Sequence, residues 1–163
     1  MRLTVLALLT LTVLFSGCLK NTDGCPSSIR VSTAPSSEEQ MVLNYLTSNN
    51  ITATKHASNM YYEIISQGTG ATPGLCSGII IGYTGQLTNG TVFDSQPEAV
   101  FNLGALIDGW KIGLPLIQSG GRIKLYIPPS LGYGPTDVKD NQGHVVVPGN
   151  SVLIFDINLK NVQ

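Results

Sequence analysis

Ile107-Asp108-Gly109-Trp110-Lys111-Ile112-Gly113-Leu114-Pro115 is the one stretch between strand-like segments in which a helix fits, and Gly113 and Pro115 keep it short. Everything around it reads as strand. Downstream, residues 122–127 alternate, with Ile123, Leu125 and Ile127 on one face. Residues 152–159 do the same, with Leu153, Phe155, Ile157 and Leu159 together. Upstream, Ile79-Ile80-Ile81-Gly82-Tyr83 is rich in β-formers, and Met60, Tyr62 and Ile64 alternate with Tyr61, Glu63 and Ile65. Asn89-Gly90 marks a hairpin turn, since both residues tolerate positive φ. The pattern predicts an α+β domain over residues 55–163, an antiparallel sheet wrapped around one short helix.

Composition narrows the function. Charged residues are only 12%, and 9 Lys and Arg against 10 Asp and Glu leave a net charge of −1. A nucleic-acid binder would carry a basic surplus, so that class is excluded. With 42% apolar residues and so little net charge, disorder is excluded too.

Residues 1–17 read as an address. Arg2 opens a segment whose residues 3–15 are apolar apart from Thr4, Thr10 and Thr12, too short for a comfortable span of about 20 residues. Ser16-Gly17-Cys18 then resembles a bacterial lipobox, with Phe15 where leucine is usual. That resemblance implies lipidation of Cys18 and a chain anchored in the bacterial cell envelope. Leu19, rather than aspartate, favours the outer membrane. An ordinary secretory peptide that happens to contain Cys18 is the alternative.

Residues 18–36, rich in small polar residues, have the composition of a flexible tether. Residues 37–50 read as an extension helix. Ser37 and Gln40 fit a capping box, Glu38 and Glu39 favour the positive end of the dipole, and Asn49-Asn50 stops it. Met41, Val42, Tyr45 and Leu46 form a stripe for docking on the main domain.

Three patterns carry no chemistry. Gly68-Thr69-Gly70 lacks the third glycine and the following helix of a dinucleotide loop. Gly74-Leu75-Cys76-Ser77-Gly78 mimics a nucleophile elbow but leads into β-prone residues. His56 and His144 have no partner at metal-ligand or triad spacing. No metal or cofactor is expected.

The informative stretches occur in series. They are Tyr83-Thr84-Gly85, then Gly90-Thr91-Val92-Phe93-Asp94-Ser95, Gly109-Trp110, Gly132-Tyr133-Gly134 and Asn150-Ser151-Val152-Leu153-Ile154-Phe155. In this order they resemble the FKBP-type peptidyl-prolyl cis/trans isomerases over about residues 60–160. Singly, each residue would be an ordinary core or turn residue; the joint order is what is specific.

The resemblance implies a curved antiparallel sheet around one short helix and an apolar bowl for a proline ring. It puts Trp110 at the floor and Tyr83, Phe93, Phe101 and Phe155 in the walls. Leu106 and Ile107 lead into the helix, with the Ile107 N–H available to a ligand. Asp94 and Tyr133 become polar rim groups, and Val146 and Val147 the tip of a bordering loop. Asp94, Tyr133 and Trp110 are the implied catalytic set. The substrates would be proline-containing unfolded or exported polypeptides, and macrolide-type inhibitors would bind the bowl. A non-catalytic peptide-binding or chaperone module of the same fold is the alternative.

The sequence departs from the family pattern in three places. Ala99 stands where a larger residue is common, Gly149 replaces the second proline of a Pro-Pro pair, and the loop over residues 135–145 is long. Separately, with Cys18 lipidated, Cys25 and Cys76 remain to form a disulfide in an oxidising compartment; two free thiols are the alternative.

Overall fold

The computed structural model describes residues 32–163. The leader, Cys18, Cys25 and the tether up to residue 31 lie outside the described residues. Helix α1 spans Ser36–Ser48, followed by strands β1 (Thr54–Lys55), β2 (Tyr61–Ser66), β3 (Gly78–Leu87) and β4 (Val92–Asn102). Helix α2 spans Asp108–Gly113, and β5 (Gly121–Ile127), β6 (Val138–Lys139), β7 (Val145–Val147) and β8 (Leu153–Val162) follow it. Six strands make one antiparallel sheet in the order β1-β2-β5-β8-β3-β4, while β6 and β7 pair separately.

Period-2 alternation sorts the sheet into two faces. Ile79, Ile81 and Tyr83 of β3, Ile123, Leu125 and Ile127 of β5, and Leu153, Phe155, Ile157 and Leu159 of β8 form the main core with Trp110, Ile112 and Leu114. Each such burial contributes about 1.5–3 kcal/mol relative to exposure. Gly109 and Gly113, four residues apart, give α2 a bare face. A Cβ on Gly109 would meet Ile127 Cδ1 at 2.5 Å, and one on Gly113 would meet Leu125 Cδ2 at 2.5 Å. Gly113 is therefore a contact residue more than a helix stop, and the chain runs on into a 3-10 turn at Leu114–Leu116.

The outer face is apolar only at one end. There Val42 and Leu46 of α1 pack on Tyr61, Tyr126, Val152 and Ile154. Met41 does not join that stripe; it is exposed, and Leu43 packs in with Tyr45 instead. The capping box is not formed either. Pro35 precedes the helix, no side chain caps it, and the Pro35 carbonyl accepts from the N–H groups of Glu38 and Glu39. The two glutamates reach outward: Glu39 accepts from the Tyr61 hydroxyl at 2.9 Å and pairs with Lys55, and Glu38 accepts from the Ser130 N–H at 2.8 Å. The Lys55 bond holds the Glu39 carboxyl below its ordinary range.

At the β3–β4 hairpin only Gly90 takes a positive φ, +86°. Asn89 acts through its side chain, which accepts from the Thr91 N–H. The long loop also differs from expectation. Asp140 accepts from the N–H groups of Gln142 and His144, closing a β6–β7 hairpin, so Val146 and Val147 sit in its returning strand and not at its tip. Gly149 belongs to the same device. A Cβ there would strike the Pro135 carbonyl, and its N–H donates to Asp137 Oδ1 at 2.8 Å, a bond proline lacks.

The segment before α1 is held by the turn over residues 56–60. The Ala34 N–H donates to the Ser58 carbonyl, and Asn59 Nδ2 donates to the Ala34 carbonyl. His56 Nδ1 accepts from the Ser58 N–H at 3.1 Å, which requires a neutral ring. Burial lowers the His56 pKa below the ordinary value. The folded state thus binds fewer protons than the unfolded state as pH falls below about 6.5. Stability supported by His56 is complete above that pH and declines with acidification. Urea midpoints measured at pH 7.5 and pH 5 should differ less in His56→Gln than in the wild type. No helix of the described residues is long and apolar enough to cross a membrane.

Candidate functional site

Where the sheet faces α2, the side chains leave a cleft of about 180 Å³. Its lining is Tyr83 from β3, Asp94 and Phe101 from β4, Leu106 and Ile107 before α2, Trp110 in α2, Tyr133, and Phe155 from β8. That volume is small for a ligand site and suits a group no larger than one ring.

Trp110 is 4% exposed and meets two rings edge-on, Tyr83 at 5.2 Å and Phe155 at 5.0 Å between centroids. Phe101 approaches it at 6.3 Å. Such T-shaped contacts each add about 0.5–1.5 kcal/mol beyond burial and fix the rings in place. Gly85 makes the cluster possible, because a Cβ there would stand 2.7 Å from both the Phe155 and Phe93 rings. Gly85 lies in the Tyr-Thr-Gly stretch, and nothing in that motif itself reveals this packing role. The Trp110 Nε1–H is buried without an acceptor among the described residues.

Phe93 is adjacent to the cleft but does not line it. It stacks edge-on against Phe155 at 5.5 Å and Tyr133 at 6.4 Å. Val147 is buried in the main core and Val146 half-buried against it, and neither lines the cleft. Ala99 also packs on the core away from the lining.

Two polar groups stand at the mouth. The Tyr83 hydroxyl donates to Asp94 Oδ2 at 2.6 Å, a contact made possible by pairing of Gly85 with Asp94 across the hairpin. Burial, then the Asp94 carboxylate, raises the Tyr83 pKa far above the ordinary range, so this hydroxyl stays a donor at working pH. Tyr133 is raised by burial first and by Asp94 second. It follows the 3-10 turn Pro129–Leu131, where the Gly134 N–H donates back to the Pro129 carbonyl. The Ile107 carbonyl opens α2 by accepting from Trp110 and Lys111, whereas no group among the described residues accepts from the Ile107 N–H.

The decoy motifs have structural roles. The N–H groups of Thr69 and Gly70 both donate to the Ser119 carbonyl, so this loop has no free cradle for phosphate. Cys76 lies in a turn leading into β3 and is disulfide-bonded; Cys18 and Cys25 are outside the described residues. His144 Nδ1 pairs with Asp140 at the exposed hairpin turn.

Comparison with known proteins agrees with this geometry. Residues 71–160 match the family described as FKBP-type peptidyl-prolyl cis-trans isomerase. A probable FKBP-type isomerase of Haemophilus influenzae is 39% identical over 110 residues, covering 65% of this chain and 44% of that protein. The outer membrane protein MIP of Legionella longbeachae is also 39% identical, with 65% and 45% covered. The crystal structure of FkpA from Escherichia coli superposes with a TM-score of 0.67 at 30% identity, over 78% of this chain and 60% of that one. AtFKBP13 superposes with a TM-score of 0.63 at 30% identity, over 69% and 99%. The chain spans less than half the length of the curated relatives it matches. With the family pattern matched over residues 71–160 and the fold superposing on these structures, the chain belongs to the FKBP-type peptidyl-prolyl cis-trans isomerase family.

Proposed function

We propose that the cleft takes the proline of an X-Pro segment and catalyses its cis/trans isomerisation in unfolded or newly exported polypeptides of the cell envelope. The observation that carries this reading is the aromatic box, Trp110 walled edge-on by Tyr83 and Phe155 with the Asp94 carboxylate at the mouth. Amide resonance sets an uncatalysed barrier of about 18–20 kcal/mol. No bond is made or broken, so the reaction needs neither nucleophile nor cofactor. The twisted amide carries less charge separation than the planar one. A dry aromatic wall therefore costs the twisted form less than it costs the planar ground states, and the barrier falls. The Ile107 N–H would hold a peptide carbonyl, while Tyr133 and Asp94 orient the segment as its carbonyl turns. Macrolide-type inhibitors would seat one ring in the same box.

The test is an isomerisation assay on the full chain with a short X-Pro peptide. Acceleration proportional to protein concentration, blocked by a macrolide inhibitor, supports the reading. Binding of unfolded chains without acceleration would make the protein a peptide-binding module instead.

We also propose that Cys18 anchors the chain by lipidation and that Cys25 is the disulfide partner of Cys76. The leader pattern supports the first, and the name of the Legionella relative supports an envelope location, with the outer membrane favoured. The second rests on Cys76 being disulfide-bonded and on Cys25 remaining once Cys18 is acylated. Non-reducing peptide mass mapping of the native exported protein should find acyl mass on Cys18 and a linked Cys25–Cys76 pair. Unmodified Cys18, or Cys25 alkylated by a thiol reagent without reduction, would overturn the respective part.

A further inference from the structure

The outer face of the sheet holds a second and larger concavity, an open trough of about 520 Å³. Helix α1 covers the apolar end of that face, and the trough occupies the end left bare, across β5, β8, β3 and β4. Its charge is unlike that of its surroundings. Residues 32–163 contain six Lys and Arg against nine Asp and Glu, and three of those six, Arg122, Lys124 and Lys160, line the trough. Asp156 is the one acid in its lining.

The basic groups differ in availability. Arg122 is fixed by a two-pronged bond to Asp156, at 2.8 and 2.9 Å. Lys160 reaches Glu98 at 2.9 Å in an exposed pair, which contributes little and exchanges readily. Lys124 makes no ion pair among the described residues, although Glu63 of β2 and Asp156 of β8 stand opposite it in register. Between them lie Asn158, an amide donor and acceptor, and Thr84 and Ser95, whose hydroxyls bond one another and the Tyr83 carbonyl and keep acceptor lone pairs for peptide N–H groups.

We propose that this trough binds an extended, acidic segment of a polypeptide, its carboxylates on Lys124 and Lys160 and its peptide groups on the hydroxyl and amide side chains. Charge complementarity selects the acidic partner on a domain that otherwise repels it. Shape and lining favour a polypeptide over a membrane. Lipid surfaces are met by projecting basic and apolar side chains. Here the cations line a recess, and Pro97 is its one apolar side chain facing outward, since the Tyr83 ring turns into the cleft on the opposite face. The trough would hold such a segment whether or not the cleft isomerises it.

The probe is a fluorescent, proline-free peptide of alternating glutamate and serine, titrated with the full chain. Saturable binding is expected at roughly 0.05 M salt, weakening steeply towards roughly 0.5 M. Lys124→Glu with Lys160→Glu should weaken it about tenfold or more. Lys124→Gln with Lys160→Gln, which spares the fold a new carboxylate beside Glu98, should weaken it less but in the same direction. Isomerisation of a short uncharged X-Pro peptide serves as the separate readout for the cleft and should be unchanged in both variants. Absent binding, equal binding by the variants, or equal binding of a lysine–serine peptide would overturn the proposal. So would lysine-dependent capture by phosphatidylglycerol vesicles without peptide binding, which would make the trough a membrane contact, or lysine-dependent self-association, which would make it a dimer face.

Discussion

Phe155→Ala should lower the stability of the domain by about 3–5 kcal/mol, the range for emptying a fully buried aromatic site. Phe155 is 2% exposed and contacts three rings, Trp110, Phe93 and Tyr83. The cavity cannot close easily. Its walls are a helix seated on β5 through Gly109 and Gly113 and a strand with neighbours on both sides. Chemical denaturation should show a lower midpoint with an unchanged slope, and thermal unfolding should shift down by roughly 10–20 °C. Phe155→Leu keeps most of the volume and should cost less. A loss under about 1 kcal/mol in Phe155→Ala would mean that the box is not packed as described.

Asp94→Ala should reduce kcat/KM on an X-Pro peptide by about tenfold or more, the equivalent of about 1.4 kcal/mol of transition-state stabilisation. Binding of a macrolide inhibitor should persist. The family resemblance makes Asp94 a rim group, and the structure adds a packing role. Asp94 accepts from the Tyr83 hydroxyl, and Tyr83 is only 9% exposed. Deleting the carboxylate strands that donor at a cost of about 1–3 kcal/mol. The double variant Tyr83→Phe with Asp94→Ala separates the two effects, because it removes donor and acceptor together. Stability should recover in the double variant while kcat/KM stays low. Recovery of both would show that Asp94 serves only to hold Tyr83.

The parts of this fold legible in the sequence are those with a buried face. Strands β5 and β8 announce themselves because every second residue enters the core. Strand β4 does not. It is an edge strand whose residues are mostly exposed, and Pro97 lies where its pairing with β3 slips. Nothing in Val92 or Val100, both more than half exposed, distinguishes a strand from a loop. The β6–β7 hairpin is hidden for a related reason, since Asp137 and Asp140 fold it by accepting from backbone N–H groups rather than by hydrophobic alternation. In the cleft, the ordered motifs carry Tyr83, Asp94, Trp110, Tyr133 and Phe155 of the lining, and also Phe93, which stands beside it. The Tyr83–Asp94 bond is a matter of register across a hairpin, and no composition or period reveals it.

Strand β8 is the last of the six in sequence yet lies in the interior of the sheet, between β5 and β3. Before it arrives, β1, β2 and β5 can pair with one another, and β3 with β4, but the two sets share no edge. Within the sheet, the strands that carry Tyr83 and Asp94 reach the ladder of β5, β2 and β1 only through residues 153–162. Synthesis therefore delivers two incomplete pieces before the strand that unites them, and a chain interrupted before Leu153 has no sheet to finish. Long-range pairing of this kind makes folding slow. Until that closing step, the edges of β5 and β3 stay unpaired and open to pairing with other chains.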